Sequence, residues 1–207
     1  MALFHRATIT PTKEELIAAW APTQPWGTGP DEQLRVIGSY RFDDPNGQVG
    51  METHLCAAGD TILQVPLTYR AEPLVGADAG LITQMTHSVL GNRWVYDGLL
   101  DPLFVVMLAG VAMTGQGEAL GMVVYDGRWY VAPSNIRIRG GGWGLERVPV
   151  DGFELVVDDA DASALRNDRF ELTFFRRPAP GPAPAIGLAT RLPDADVDVV
   201  LAVVREI

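Results

Sequence analysis

One short stretch, residues 84–102, concentrates the side chains of this sequence that could do chemistry. It contains His87, Arg93, Asp97 and Asp101, which offer a titratable imidazole, a guanidinium and two carboxylates. A histidine can act as an acid or a base, an arginine can hold a carboxylate or phosphate, and an aspartate can orient the histidine. The pattern predicts a small-molecule binding site or a small enzyme site, with these side chains at the mouth of a pocket.

The same stretch also has a purely structural interpretation. Arg93 and Asp97 would form an ion pair on a turn, while the aromatic rings of Trp94 and Tyr96 would pack or line the site. Ion-pair networks that only stabilise a fold resemble functional clusters in sequence, so both interpretations stay open.

A glycine-rich segment gives one more binding candidate. Arg139 is followed by three glycines and Trp143, but the Gly-Lys-Ser/Thr of a phosphate loop is missing. The segment therefore predicts a hairpin loop. An exposed Trp143 beside arginines could stack on a sugar ring or anchor a partner protein.

Glu52, His54 and Cys56 share one face of a predicted strand. We expect a solvated sheet face, where a hairpin could bring Glu52 or His54 near Gln64, Thr68 or Arg70. Cys56 has no catalytic or metal-binding pattern around it and is expected to be a small buried side chain. The sequence has no cysteine or histidine cluster with zinc spacing, so neither a metal nor a cofactor is expected.

Composition limits the function classes. The 207 residues are 47% hydrophobic and 20% charged, which suits a packed core. The net charge is -10 and Lys13 is the only lysine, so nucleic acids and anionic membranes are not expected partners. No signal peptide or membrane-spanning run is evident, and a single cysteine allows no internal disulfide. We expect a cytoplasmic protein.

The elements that must position these side chains are two helices and many short strands. Thr10-Pro11, or a capping box of Thr12 and Glu15, opens the first helix, and Asp101-Pro102 opens a second, buried one. Alternation and turn signals predict strands at 34–42, 49–57, 61–70, 120–125, 128–131, 135–139, 148–157, 169–176 and 197–204, the last of them central. The proline-rich segment 178–184 is expected to be a loop outside any sheet.

Several short motifs, in this order, resemble the N-terminal cap of actinobacterial maltokinases and its stand-alone relatives. The first is Trp20-x-x-x-Gln24-x-Trp26-Gly, in which Pro25 and Thr28 replace the usual basic residues. The strand segment 64–70 and the segments 87–91 and 94–97 follow. The resemblance implies a cystatin-like arrangement, in which a helix is held by a sheet.

The kinase machinery itself is missing from the sequence. Kinases of this superfamily need a lysine for the nucleotide phosphates and a catalytic-loop aspartate followed by an asparagine. Lys13 lies in the first predicted helix, and no histidine begins a His-x-Asp motif. We expect no phosphoryl transfer by this chain. Relatives are sometimes labelled 1,4-alpha-glucan branching proteins, but a branching enzyme needs a (β/α)8 barrel, for which this chain is too short.

The sequence therefore predicts an α+β fold, with a curved, mostly antiparallel sheet packed against a few helices. We expect a single domain over residues 1–207, or two closely packed lobes at about 1–117 and 118–207. The resemblance implies a non-catalytic protein of trehalose, maltose and glycogen metabolism that binds a partner enzyme or a sugar ligand. The alternatives are the pocket at His87, Arg93 and Asp97, and a homodimer built through a strand edge or the apolar helix 103–113.

Overall fold

The computed structural model describes residues 2–3, 7–29, 32–132, 136–142, 148–193 and 195–207. These residues form two α-helices, α1 (Lys13–Trp20) and α2 (Pro102–Thr114), and fifteen strands. The strands are β1 (Ala2–Leu3), β2 (Ile9–Thr10), β3 (Arg35–Phe42), β4 (Gly50–Ala58), β5 (Thr61–Arg70), β6 (Leu81–His87), β7 (Gly91–Asp97), β8 (Gly121–Tyr125), β9 (Arg128–Val131), β10 (Ile138–Gly141), β11 (Glu154–Asp158), β12 (Ala162–Arg166), β13 (Phe170–Pro180), β14 (Gly187–Thr190) and β15 (Val199–Glu206).

The strands build three sheets with antiparallel pairing throughout, except for the parallel pair β1 and β8. The N-terminal sheet has the order β2-β6-β7-β5-β4-β3, and the C-terminal sheet has the order β10-β14-β15-β13-β12-β11. A third, small sheet has the order β1-β8-β9. The α+β class and the mostly antiparallel pairing are confirmed, with a strongly curled sheet.

Helix α1 covers one face of the N-terminal sheet, which we call the α1 face. The predicted capping box is present, because Thr12 Oγ1 accepts from the Glu15 amide at 3.2 Å and the Thr12 amide donates to Glu15 Oε2 at 2.8 Å. Thr10 lies in β2 and does not cap the helix. Leu16 and Ile17 pack on the central strands of the sheet, together with Cys56, Leu63, Val65, Leu67, Met85 and Val95. Cys56 is fully buried, as predicted.

Helix α2 lies against the opposite, α2 face of the N-terminal sheet and also against the C-terminal sheet. Asp101 caps its first turn and Gly115, at a φ of 71°, ends it. The helix is apolar on all sides, as a helix enclosed by other elements must be. Its buried side chains join the inner faces of both large sheets in one continuous core.

The C-terminal sheet is completed by β15, which lies between β14 and β13 as its uninterrupted apolar sequence predicts. The prediction that residues 178–184 stay outside any sheet is wrong for their first part. Ala179 and Pro180 pair with Val200 and Val199 after a break in register beyond Phe174. The neighbouring strand β12 pairs with β13 only as far as Phe175. Pro178 and Pro180 therefore lie on a part of β13 that forms a sheet edge, where a missing amide hydrogen is tolerated.

The small sheet carries a hairpin, residues 121–131, that we call the ribbon. Its turn has positive φ angles at both Asp126 (49°) and Gly127 (70°), the backbone of a type I′ hairpin turn. The ribbon begins beside β3, where the Ala119 amide donates to the Arg41 carbonyl at 2.8 Å. No helix in the described part of the chain is long and apolar enough to cross a membrane.

Candidate functional site

The hairpin of β6 and β7 carries most of the side chains that the sequence proposes as a site. In its register His87 faces Gly91 next to the turn, and Arg93 faces Met85. Asp97 lies at the far end of β7, six residues from Gly91. At about 3.3 Å per residue, that separation is roughly 20 Å. The structure therefore does not bring His87 and Asp97 together around one small ligand.

His87 takes part in the turn at its own end of the hairpin. Its Nδ1 accepts from the amides of Val89 at 3.2 Å and Leu90 at 3.1 Å. Accepting at Nδ1 places the proton of the neutral imidazole on Nε2. This ring nitrogen is thus used to order the loop between the two strands.

Asp97 is buried and forms its ion pair with Arg176, not with Arg93. The distance from Arg176 Nη2 to Asp97 Oδ2 is 2.8 Å, and Asp97 Oδ1 accepts from the Leu99 amide at 3.1 Å. Arg93 Nη1 instead donates to the neighbouring Asn92 carbonyl at 3.1 Å. The predicted Arg93–Asp97 pair is therefore wrong, because side chains four residues apart on an extended strand are roughly 13 Å apart.

Asp101 is completely buried and has two structural roles. Its Oδ1 accepts from the Leu103 amide at 3.1 Å, which caps α2. Arg70 donates to both of its oxygens, at 2.7 Å from Nε and 2.6 Å from Nη2. This two-point contact raises the pKa of Arg70 above its ordinary value. The carboxylate is thereby tied to strand β5.

The aromatic candidates Tyr96, Trp94 and Trp143 differ in their burial and in whether the structure describes them. Tyr96 is buried, and its hydroxyl accepts from the Leu74 amide at 2.9 Å, so it holds the loop after β5. Trp94 is half-buried on the same α2 face of β7, opposite Arg70 and Gln84. Trp143 lies outside the described residues. The ring of Tyr96 packs, as the structural interpretation predicts.

Sequence reasoning missed the polar junction that surrounds Arg176. The Arg176 side chain is completely buried, and its guanidinium lies 4.5 Å from the centre of the Trp26 ring. Its Nε donates to Ser163 Oγ at 2.8 Å, and the neighbouring Arg177 donates to the Gly27 carbonyl at 2.9 Å. One signal was present, since Arg176 follows Phe170, Leu172 and Phe174 at every second position of a buried strand face.

Gln64 is a second polar link between the two large sheets. It is completely buried on the α2 face, and its Nε2 donates to the carbonyls of Phe175 at 2.9 Å and Leu201 at 3.1 Å. Its Oε1 accepts from the hydroxyl of Tyr40 at 2.9 Å. Both N–H groups of this amide are therefore used to join the N-terminal sheet to β13 and β15, and its oxygen holds Tyr40 of β3.

Glu52 and His54 lie in a buried cluster, so the expectation of a solvated face is wrong. Lys13 of helix α1 contacts Glu52, and on the neighbouring strand β3 Ser39 Oγ donates to Glu52 at 2.9 Å. The register pairs Glu52 with Leu67 and His54 with Val65, which puts Gln64 on the opposite face. His54 Nε2 instead lies 3.4 Å from the Tyr69 hydroxyl.

Burial and charge determine the protonation of this cluster. Burial alone would raise the pKa of Glu52, but the positive charge available on His54, Lys13 and Arg41 outweighs it and lowers that pKa to about 2. Burial lowers the pKa of His54 below its ordinary 6.5, since the charged ring would lose its water. The cluster thus holds an ionised carboxylate beneath a lysine. In the ranges that the structure covers, no three His, Cys, Asp or Glu side chains are grouped to hold a metal ion.

Most of the N-terminal sheet matches a known protein family. Residues 20–101 match the family model of the maltokinase N-terminal cap domain, whereas the curated proteins give no match. The matched segment is 82 of the 207 residues; it starts at the last residue of α1 and ends at Asp101, the cap of α2. It contains β3 to β7, together with the Trp26 and Asp97 side chains that meet Arg176. Over residues 20–101 the chain is therefore similar to the maltokinase N-terminal cap domain, as its tryptophan and strand motifs predict.

Proposed function

We propose that this protein is a non-catalytic, cap-like protein of trehalose, maltose and glycogen metabolism that binds a partner enzyme or a sugar ligand. The observation that carries the proposal is the match of residues 20–101 to the maltokinase N-terminal cap domain. The proposal includes a cystatin-like arrangement of the N-terminal half, which the position of α1 across the N-terminal sheet supports.

The side chains of the cap-like segment support a binding role over a catalytic one. Asp97 and Asp101, the carboxylates of the predicted site, each lie in a buried ion pair with an arginine. Truncating Asp97 would leave the fully buried Arg176 without its partner, which is strongly destabilising, and truncating Asp101 would remove the cap of α2 and the anchor of Arg70. We assign these side chains to the framework, and His87, Arg93 and Trp94 remain candidates for surface contacts with a partner.

The proposal is tested with the pure full-length chain and two kinds of probe. The first kind is a purified maltokinase, whose binding is measured by calorimetry. The second kind is a set of sugars, namely maltose, trehalose, maltose 1-phosphate and short α-glucans, which are added in a thermal-shift assay. A ligand at 100 times its dissociation constant adds about 2.7 kcal/mol, and we expect binding to the enzyme or a clear shift with a sugar.

Two results would count against this function. If neither the enzyme nor any of the sugars binds, the cap-like role loses its support. Formation of a sugar phosphate by the chain with Mg-ATP and maltose would instead show a kinase.

A further inference from the structure

The ribbon presents an unusual amount of apolar surface. Five of its side chains are large, apolar or aromatic and more than 45% exposed: Val124 (52%), Tyr125 (67%), Trp129 (56%), Tyr130 (46%) and Val131 (59%). Leu120, at its base, is 52% exposed. The other exposed apolar side chains in the described ranges occur singly or in adjacent pairs along the sequence. A run of this density marks an interaction surface.

Both faces of the ribbon are apolar. The register pairs Val124 with Trp129 and Met122 with Val131, which puts these four side chains on one face. Tyr125 and Tyr130 lie on the other face, on a diagonal between the strands. A surface that only lies flat on a partner needs one apolar face, whereas a ribbon with two suits a cleft that encloses it.

The composition of the ribbon favours a protein over a sugar as the occupant. Tyrosine, tryptophan and arginine are the residues that dominate binding energy at protein interfaces. Sugars need several side-chain donors and acceptors, but Asp126 and Arg128 are the only charged residues of the ribbon, and its other side chains are mostly apolar.

Charge decides between a second copy and a different protein. The ribbon is formally neutral, with one aspartate and one arginine, while the whole chain carries -10. Two copies would therefore repel each other, whereas a partner with a basic surface would be attracted. Charge therefore favours, as the occupant of the ribbon, a different protein with positive charge around an apolar cleft.

We propose that the ribbon is the docking element of this protein, and that it inserts into an apolar cleft with a basic rim on the partner enzyme. This inference rests on the proposed function, because it takes the partner to be a maltokinase-type enzyme. The inner face of the cap-like sheet is already covered by α2 and the C-terminal sheet, so the ribbon supplies the contact surface that this face cannot.

The test compares variants of the full-length chain for binding to a purified maltokinase. One double variant, Val124→Ser with Trp129→Ser, changes the first face, and a second, Tyr125→Ser with Tyr130→Ser, changes the other. Val156→Ser is the matched control, since Val156 is a strand valine with 48% exposure outside the ribbon. We expect each double variant to weaken binding at least tenfold, the control to bind as the wild type does, and binding to weaken between 50 and 300 mM NaCl.

Each other outcome overturns the docking element in a recognisable way. Equal binding by the wild type and the ribbon variants would show that the ribbon is not the docking element, while leaving the proposed function intact. Loss of binding with only one double variant would exclude insertion into a cleft. A concentration-dependent dimer that the variants abolish would make a second copy the occupant. Retardation by glycogen in an affinity gel that depends on Trp129 would make it a sugar surface. If the wild type binds no maltokinase, the docking inference fails, and the sugar assays then decide the wider function.

Discussion

The N-terminal sheet and the ribbon differ in which side chains they bury: the sheet region buries charged side chains, whereas the ribbon exposes apolar ones. Three carboxylates buried in the sheet and at the start of α2 are each paired: Glu52 with Lys13, Asp97 with Arg176 and Asp101 with Arg70. The ribbon leaves its valines and aromatic rings in water. A buried ion pair contributes little net stability but is costly to break, whereas exposed apolar side chains cost the monomer little to change. Stability and interaction are therefore placed in different parts of the molecule.

The sharpest test of this contrast is Arg176→Met. The change leaves Asp97 buried without its cation, and we expect a loss of about 3–5 kcal/mol in the free energy of unfolding. For a chain of this size that lowers the melting temperature by roughly 10 °C. Arg166→Met is the control, because Arg166 pairs with Glu171 on the surface, with 53% of its side chain exposed. Urea denaturation of both variants checks the prediction, and equal losses would contradict it.

Acid should weaken the cluster beneath α1. The pKa of His54 is lowered from 6.5 and that of Glu52 from 4.5 to about 2, so in both cases the unfolded chain binds the proton more readily. Stability is then fully present above pH 6.5 and falls as the pH decreases, with the Glu52 contribution lost between about 4.5 and 2. That contribution is at most about 3 kcal/mol.

The Glu52→Gln variant isolates the carboxylate in this pH dependence. We expect it to be less stable than the wild type at pH 7, with the difference shrinking as the pH falls below 4.5. Urea denaturation at pH 7, 5.5, 4 and 3 measures both curves. Parallel curves over that range would show that Glu52 is not the titrating group.

A smaller effect is expected at the link between the two large sheets. Gln64→Met keeps the length of the side chain but leaves the carbonyls of Phe175 and Leu201 without their donor. Unsatisfied buried groups of this kind cost about 1–3 kcal/mol. Gln84→Met, at an exposed position of β6, is the same exchange without burial and should change stability by less than about 0.5 kcal/mol. Thermal unfolding would refute the assignment if the two variants had the same midpoint.

The smallest change belongs to the ribbon. Trp129→Ser should alter the free energy of unfolding by no more than about 0.5 kcal/mol, because the ring is 56% exposed. Trp26→Ser, which removes a fully buried ring from under Arg176, should cost about 3–5 kcal/mol. If Trp129→Ser destabilised the chain as much as Trp26→Ser does, the ribbon would belong to the framework and not to an interface.

Local signals in the sequence predicted much of the fold. Thr12 with Glu15, Asp101 with Pro102, and Asp126 with Gly127 each fix a helix start or a turn through neighbouring atoms, and all three features are present. The strand β5 was predicted over its full length. Alternation alone did not identify β6, β7 and β12, whose sequences mix polar and apolar residues on both faces, or the four-residue strand β14.

The polar clusters could not be predicted because their partners are distant in sequence. Asp97 and Arg176 are separated by 79 positions, so no local pattern pairs them. The strand face with Glu52 and His54 has the alternation of a solvated face, and only the position of α1 shows that it is covered. The predicted Arg93–Asp97 pair was wrong because Asp97 pairs with Arg176, which is distant in the sequence.

The two bonds of Gln64 have a consequence for how the chain acquires its structure. They join residues 111 and 137 positions apart, so both partners of Gln64 are synthesised well after it. Contacts of such long range slow folding, because a large loop must close before they form. On the ribosome the cap-like strands emerge long before the strands that cover them. The α2 face of the cap-like strands therefore stays open to water until β13 and β15 have been translated.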